Sequence, residues 1–237
     1  MTERPAGPVI RNWHLPPAPG GAVLDGRYAR LERLSADIHA ALLYRAFDGH
    51  DWVWDYMPVG PFASASQFHR WMREATARDD ILFYAVYDKE TGAWGGFAAF
   101  LRIKPAAGSI EVGFINMAPQ LQRTRAATES MFLMMQWAFE AGYRRYEWKC
   151  DALNRPSRRA AQRLGLSYEG IFRQAAVVKG RNRDTAWFAA IDSEWPALRE
   201  AFRFWLDPSN FSPGGIQKER LSDLTALVRA ADDPDLG

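Results

Sequence analysis

The spacing of apolar residues divides the chain into a helical first part and a strand-rich centre. The sequence predicts a helix over 36–47 with Ser35 as its cap, and a second amphipathic helix that Ser64 or Ser66 caps and that runs to about Ala77. From Ile81 the pattern changes to three dense, β-prone runs separated by short turns. This arrangement predicts an antiparallel meander, preceded by a possible first strand over 26–34.

The second half of the chain alternates between helical and strand patterns. The predicted elements are helices over 126–141, 155–164 and 194–205, strands over 146–152, 168–178 and 184–192, and a possible short helix over 221–231. Gly142 is expected to end the first of these helices, and Ser193 to cap the third. The sequence therefore predicts an α+β fold, with a largely antiparallel sheet of six to seven strands flanked by helices.

Composition favours one soluble domain with short extensions. We expect a Pro- and Gly-rich extended arm over 1–21 in which Trp13 docks, a domain over 22–206, and a tail over 207–237. A net charge of +2 gives no reason to expect a nucleic-acid or membrane partner. The single cysteine suits a reducing cytoplasm. No metal is expected, and monomer and homodimer both remain open.

The turn before the predicted helix at 126 carries the most informative chemistry. Its residues are Gln122, Arg123, Thr124, Arg125, Ala126, Ala127 and Thr128. The first turn of a helix has unpaired N–H groups and the positive end of the dipole, and small side chains let a ligand approach. The two arginines add positive charge. The turn therefore fits a pyrophosphate cradle, although an ordinary capped helix has the same pattern.

Several short motifs in order resemble the GNAT acetyltransferase superfamily, and in particular its RimJ/RimL-like branch. The sequence QRTRAA at 122–127 lies over the family's Gln/Arg-x-x-Gly-x-Gly/Ala turn, with Arg125 in place of the first glycine. Further on, NRPS at 154–157, RLGL at 163–166 and YEGIFR at 168–173 match later family motifs. Because a left-handed backbone is costly for arginine, we expect Arg125 to have ordinary helical torsions.

The resemblance implies an acetyl-CoA site between two splayed strands. Pantetheine would add to the strand edge at Phe114, Ile115 and Asn116, and the pyrophosphate would rest on backbone amides of residues 122–128; an ordinary paired strand is the alternative. The later motifs add Asn154 for the pantetheine arm or the substrate carbonyl, Ser157 as a helix cap or a cofactor contact, and Arg158 for the 3′-phosphate or a solvated basic face.

The same resemblance implies direct acetyl transfer to an amine, with Glu111 as the general base. A structural salt bridge is the other interpretation of this carboxylate. Family members often use a tyrosine to protonate the departing thiolate, but Ala161 stands at that position here, so Ser157, water or a tyrosine of the aromatic segment would replace it. Cys150 is expected to be a buried strand residue rather than a nucleophile.

An aromatic segment after the first helix is the candidate acceptor site. Asp51, Trp54, Asp55 and Tyr56 could bind a protonated primary amine by ion pairing and cation–π contact; the segment could equally fold onto the core. The acceptor would be a protein N-terminus or a small-molecule amine. The alternative function is a CoA-binding or sensing module with little or no turnover.

Overall fold

One twisted sheet of eight strands forms the centre of the computed structural model, which describes Arg4 and residues 6–236. The strands are β1 (Leu24–Asp25), β2 (Ala29–Arg33), β3 (Ile81–Asp88), β4 (Ala93–Lys104), β5 (Ser109–Met117), β6 (Arg145–Asp151), β7 (Ser167–Val178) and β8 (Arg181–Ile191). Their spatial order is β1-β2-β3-β4-β5-β6-β8-β7. Strands β5 and β6 run parallel, and the other neighbours are antiparallel. The α+β prediction is confirmed, with one short strand, β1, more than expected.

Six α-helices flank this sheet within the described residues. They are α1 (Ala36–Phe47), α2 (Ala65–Thr76), α3 (Arg125–Glu140), α4 (Arg155–Arg163), α5 (Trp195–Leu206) and α6 (Leu221–Ala226). The prediction that Ser193 caps α5 is wrong, because Glu194 occupies the N-cap position and accepts a hydrogen bond from the Ile191 N–H through its own side chain. No helix in the described part of the chain is long and apolar enough to cross a membrane.

The two faces of the sheet support separate apolar cores. Alternation along β4 sends Ala98 and Phe100 to the face covered by α3 and α5, and Phe97 and Ala99 to the face covered by α1 and α2. Beyond β5, neither α1 nor α2 covers this second face. Charged side chains of β5 and β6 can therefore occupy it.

The two terminal segments pack onto this framework. Trp13 lies against Gly108, which has a φ of 65° and leaves no room for a Cβ, so the expected docking of Trp13 is confirmed. The Tyr143 hydroxyl donates to the Pro17 carbonyl over 3.0 Å. At the other end, Thr225 Oγ1 donates to the Arg163 carbonyl over 3.0 Å, which holds the tail against α4.

Candidate active site

Strands β5 and β6 separate halfway along their length. They pair from Ser109 with Arg145 as far as Val112 with Trp148, and no pair follows. Strand β6 nevertheless continues beside β8 to Asp151, and β5 continues beside β4 to Met117. The facing edges, residues 113–117 and 149–151, therefore carry backbone groups that an inserted extended chain could pair with.

A bulge in β5 accompanies this separation. The register between β4 and β5 shifts next to Phe114, whose φ of 47° lies in the left-handed region. Its ring packs 5.2 Å from that of Phe83. Ile115 packs against the core under α3, whereas Asn116 is buried and its side-chain Nδ2 has no partner in the described structure. The three residues expected to border the cofactor thus line the open edge.

The turn before α3 presents unpaired backbone N–H groups. Thr124 caps the helix, since its Oγ1 accepts from the Ala127 N–H over 3.0 Å, and its carbonyl accepts from the Thr128 N–H. In the part of the chain that the structure describes, the N–H groups of Arg123, Arg125 and Ala126 have no hydrogen-bond partner. They lie at the positive end of a 16-residue helix.

Two neighbouring contacts show how this turn is built. Gln122 donates from Nε2 to the Met117 carbonyl over 2.8 Å, which ties the turn to the end of β5. The left-handed residue is Arg123, with a φ of 64°. Arg125 begins the helix with ordinary torsions, as expected.

The side chain of Arg125 contacts an acidic residue and two aromatic rings. It forms an ion pair with Glu90 and lies 4.6 Å from the Tyr28 ring centroid and 4.9 Å from that of Phe211. The prediction that its charge supports a phosphate at this turn is therefore not met in this geometry. Its backbone N–H remains available.

The start of α4 differs from the sequence-based expectation. Asn154 caps the helix, because its Oδ1 accepts from the Ser157 N–H over 3.1 Å. Ser157 is therefore not the cap. Its hydroxyl instead accepts a hydrogen bond of 3.1 Å from Trp148 Nε1, beside the last pair of β5 and β6.

Arg158 holds the C-terminal tail rather than an open phosphate site. Its guanidinium forms a two-point contact of 2.6 and 2.7 Å with Asp233 and reaches Asp235 at 2.9 Å. A further donor contacts the Ala152 carbonyl. Arg158 and Asp233 are both almost fully buried. The expectation of a 3′-phosphate contact is corrected, since these carboxylates occupy the guanidinium.

Glu111 is buried and lies in a chain of charges on the face of β5 and β6 that α1 and α2 do not cover. Its Oε1 accepts from Arg102 at 2.5 Å, and its Oε2 lies 2.7 Å from Lys149 Nζ. Lys149 also contacts Glu147 at 2.8 Å, and its ammonium lies 3.6 Å from the Trp187 ring centroid. The salt-bridge interpretation of Glu111 is thus correct as a description of its contacts.

The two carboxylates that share Lys149 differ in acidity. Burial raises the pKa of Glu111, and the attraction of Lys149 and Arg102 offsets only part of that effect. At Glu147 burial also acts to raise the pKa, but hydrogen bonds from Arg145 and Lys149 prevail and lower it. Glu111 is therefore the carboxylate with the greater proton affinity, as a general base requires.

The aromatic segment contributes residues to the core and to the surface. Trp54 is 3% exposed and packs edge-on against Phe47 and Phe62, so the folding-onto-the-core interpretation is correct for this ring. Asp51 and Asp55 are exposed. Tyr56 is also exposed, and its hydroxyl donates to the Leu153 carbonyl over 3.3 Å, just beyond the end of β6.

Two further positions agree with the sequence-based expectations. Cys150 is buried, and burial raises the pKa of its thiol to about 11, although a hydrogen bond with Ser157 acts in the opposite direction. A thiol of this pKa is a poor nucleophile at neutral pH. Ala161 is fully buried in the core, so no hydroxyl reaches the gap from that position.

A model of the GNAT acetyltransferase domain matches residues 29–167, more than half of the chain. A crystal structure of a GCN5-related N-acetyltransferase from Brucella melitensis is 47% identical, with a TM-score of 0.89 over 92% of this chain and 100% of that one.

The chain belongs to the GNAT acetyltransferase family.

A probable GNAT-family acetyltransferase from Chromobacterium violaceum is 41% identical, with a TM-score of 0.78 over 83% of this chain and 100% of that one. The chain also shares its fold with RimL, a ribosomal-protein α-N-acetyltransferase. The two are 19% identical, with a TM-score of 0.63 over 78% of this chain and 99% of RimL. No curated protein sequence matches the chain significantly.

The features that suit the family's acetyl-CoA are backbone groups and one side-chain amide. GNAT enzymes use acetyl-CoA, and one RimL structure is a complex with coenzyme A. In the part of the chain that the structure describes, the open strand edges, the unpartnered Asn116 Nδ2 and the free N–H groups before α3 are polar groups of the kind that this molecule requires. Among the described residues, no group of three potential metal ligands occurs.

The ion-pair partners of Glu111 and Arg158 were not predicted from the sequence. Lys149 and Arg102 flank Glu111, and Asp233 neutralises Arg158 from 75 positions away. Alternation along β6 could have placed Glu147 and Lys149 on one face. No local pattern links residue 158 to the tail.

Proposed function

We propose that this GNAT enzyme transfers the acetyl group of acetyl-CoA directly to a primary amine, of a peptide N-terminus or a small molecule. The observation that carries the proposal is the separation of β5 from β6 beyond Val112, which leads to the free N–H groups before α3. An extended pantetheine arm and a pyrophosphate need this combination. The buried, reduced Cys150 is compatible with a cytoplasmic location.

Backbone groups would hold the cofactor. Residues 113–117 would pair with the pantetheine arm, and the N–H groups of Arg123, Arg125 and Ala126 would bind the pyrophosphate. Asn116 and Asn154 would add side-chain amides beside the gap; the Nδ2 of Asn116 has no partner in the described structure, and Asn154 uses its Oδ1 to cap α4. When bound, acetyl-CoA supplies an activated acetyl group.

Glu111 would remove the proton of the acceptor ammonium, directly or through water. Its raised pKa and its position at the last paired stretch of β5 support this role. The Ser157 hydroxyl, which accepts from Trp148 Nε1 and contacts the Cys150 thiol, would turn its own hydrogen toward the departing thiolate and stabilise it as a donor. Positioning of the two reactants would supply much of the acceleration.

The acceptor would enter between the aromatic segment and the strand ends. Asp51 and Asp55 supply negative charge at the surface, which attracts a protonated amine. Tyr56 links this segment to the loop after β6. The Trp54 ring, which is buried, would support the segment without touching the acceptor.

The proposal is tested by measuring release of free thiol from acetyl-CoA with a panel of primary amines and peptides. We expect amine-dependent thiol release and an N-acetylated product identified by mass spectrometry. Hydrolysis of acetyl-CoA without an acetylated amine would contradict the proposal.

A CoA-binding or sensing module is the second candidate. It is favoured by Ala161, which stands where many relatives have a tyrosine, and by the cations that occupy both oxygens of Glu111. Strong thermal stabilisation by CoA without transfer to any amine in the panel would support this alternative.

A further inference from the structure

The hairpin of β7 and β8 closes one side of the proposed acceptor entrance. It extends past the last pair of β6 and β8, Asp151 with Thr185, at the end where β5 and β6 are separated. At its tip, Lys179 Nζ donates to the Trp54 carbonyl over 2.9 Å. The hairpin and the aromatic segment therefore meet above the open strand ends.

This hairpin is strongly cationic. It carries Arg173, Lys179, Arg181 and Arg183, and none of them lies within ion-pair distance of a described carboxylate. Of its two acidic residues, Asp184 accepts hydrogen bonds from Gln174 N and Asn182 Nδ2, and Glu169 pairs with Arg145 of β6. The positive charge of the hairpin is consequently not neutralised from within.

Two buried donors on the same face of β8 have no partner in the described structure. Arg183 Nε and Trp187 Nε1 are both shielded from solvent and make no hydrogen bond. Residues 183, 185 and 187 alternate onto one side of the strand, where Trp187 lies between Lys149 and Phe172. Buried donors without acceptors are costly, and a bound acceptor group removes that cost.

The neighbouring charges do not supply the missing acceptor. Glu111 and Glu147 are occupied by Arg102, Lys149 and Arg145, and Glu169 is occupied by Arg145. This network contains as many carboxylates as cations, so the hairpin adds net positive charge to the entrance.

We propose that the acceptor is an amine that also carries a carboxylate, and that Arg183 and Trp187 bind this carboxylate under the cationic hairpin. The inference rests on the proposed acetyl transfer and narrows its substrate class. Asp51 and Asp55, in the aromatic segment that Lys179 contacts, attract the ammonium, and the cationic hairpin attracts the carboxylate, so the entrance offers both charges that a zwitterion needs. A free amino acid and an acidic peptide N-terminus share this chemistry.

The test compares matched acceptors that differ only in the carboxylate. Alanine is measured against alaninamide, and a peptide amide with aspartate in second place against its asparagine counterpart. We expect kcat/KM to favour the carboxylate member of at least one pair by about tenfold or more, as a charged hydrogen bond provides. A preference for alanine over alaninamide identifies a free amino acid as the acceptor. A preference for the aspartate peptide identifies an acidic peptide N-terminus.

Two variants and one control locate the effect. Arg183→Gln and Trp187→Phe should abolish most of the preference while acetyl-CoA still raises the melting temperature. The control Arg70→Gln removes an exposed arginine of α2 and should leave the preference unchanged. Equal use of both members of each pair, or a preference that survives in Arg183→Gln, would overturn the inference and leave acetyl transfer standing. Absence of transfer to every amine would overturn both.

Discussion

The two sides of the gap between β5 and β6 offer different chemical groups: backbone N–H groups on one side and charged side chains on the other. On the side of α3, the proposed cofactor contacts are backbone N–H groups at a helix start and at an open strand edge. On the other side, the contacts are buried charged side chains around Glu111 and Lys149. Backbone donors tolerate changes of side chain, whereas a buried charge network does not. Substitutions should therefore affect the two sides differently.

The largest effect is expected at Glu111. Glu111→Gln removes the proposed base while keeping the shape, and kcat/KM should fall by about 10²- to 10⁴-fold with acetyl-CoA affinity nearly unchanged. The matched control is Glu147→Gln, which alters the same network at the carboxylate with the lowered pKa. Steady-state kinetics and calorimetric titration measure the two quantities. Equal losses in both variants would mean that the network is structural.

Arg158 offers a contrast between stabilising and binding roles. Arg158→Ala leaves Asp233 buried without its partner, which should cost about 3 to 5 kcal/mol of unfolding free energy. The melting temperature should fall by about 6 to 20 °C for a chain of this size. The titrated affinity for CoA should stay the same. Loss of discrimination between CoA and 3′-dephospho-CoA in this variant would show instead that Arg158 binds the phosphate.

The backbone side can be tested by removing one N–H group. Arg125→Pro suits the first position of a helix and follows an extended residue, Thr124, so α3 should persist. The loss of one hydrogen bond to a charged group should weaken acetyl-CoA binding by about 10- to 100-fold. Arg125→Ala keeps the N–H and removes the ion pair with Glu90, so its affinity should change little. The same affinity in both variants would argue against a pyrophosphate on this amide.

The smallest effect concerns the pH dependence of transfer. Glu111 acts as a base only when ionised, so activity should fall as pH falls through its raised pKa. Lys149 lowers that pKa, and Lys149→Met should therefore move the acidic limb of the kcat/KM profile to higher pH by about one unit. Lys149→Arg should restore most of the original position. An acidic limb that does not move would remove Lys149 from the control of Glu111.

Local patterns predicted the elements well because each depends on nearby residues. Helix α1 begins and ends at Ala36 and Phe47 as expected, and β5 covers the run SIEVGFINM. The turn at 122–128 was also found from the sequence, since a helix start with small residues is a local feature. The residues named for the site remain predictions of function; Phe114, Ile115 and Asn116 border the gap, whereas Arg158 and Trp54 have other partners.

Contacts between distant segments were beyond local patterns. The pairing of Arg158 with Asp233 depends on how the tail crosses α4. Because Asn154 caps this helix, the Ser157 hydroxyl is free to accept the hydrogen bond from Trp148 Nε1. The burial of Trp54 depends on Phe47, Phe62 and their neighbours meeting in the folded chain. These contacts depend on how segments that are distant in the sequence pack together in the folded chain.

The central claim is that acetyl-CoA binds along the open edge of β5 and at the start of α3. Backbone amide NMR during titration with acetyl-CoA tests it most directly. We predict that the largest shift changes fall on residues 113–117 and on Arg123, Arg125 and Ala126, with slower hydrogen exchange at the same amides. Changes confined to other surfaces, such as the outer side of α2, would contradict the claim.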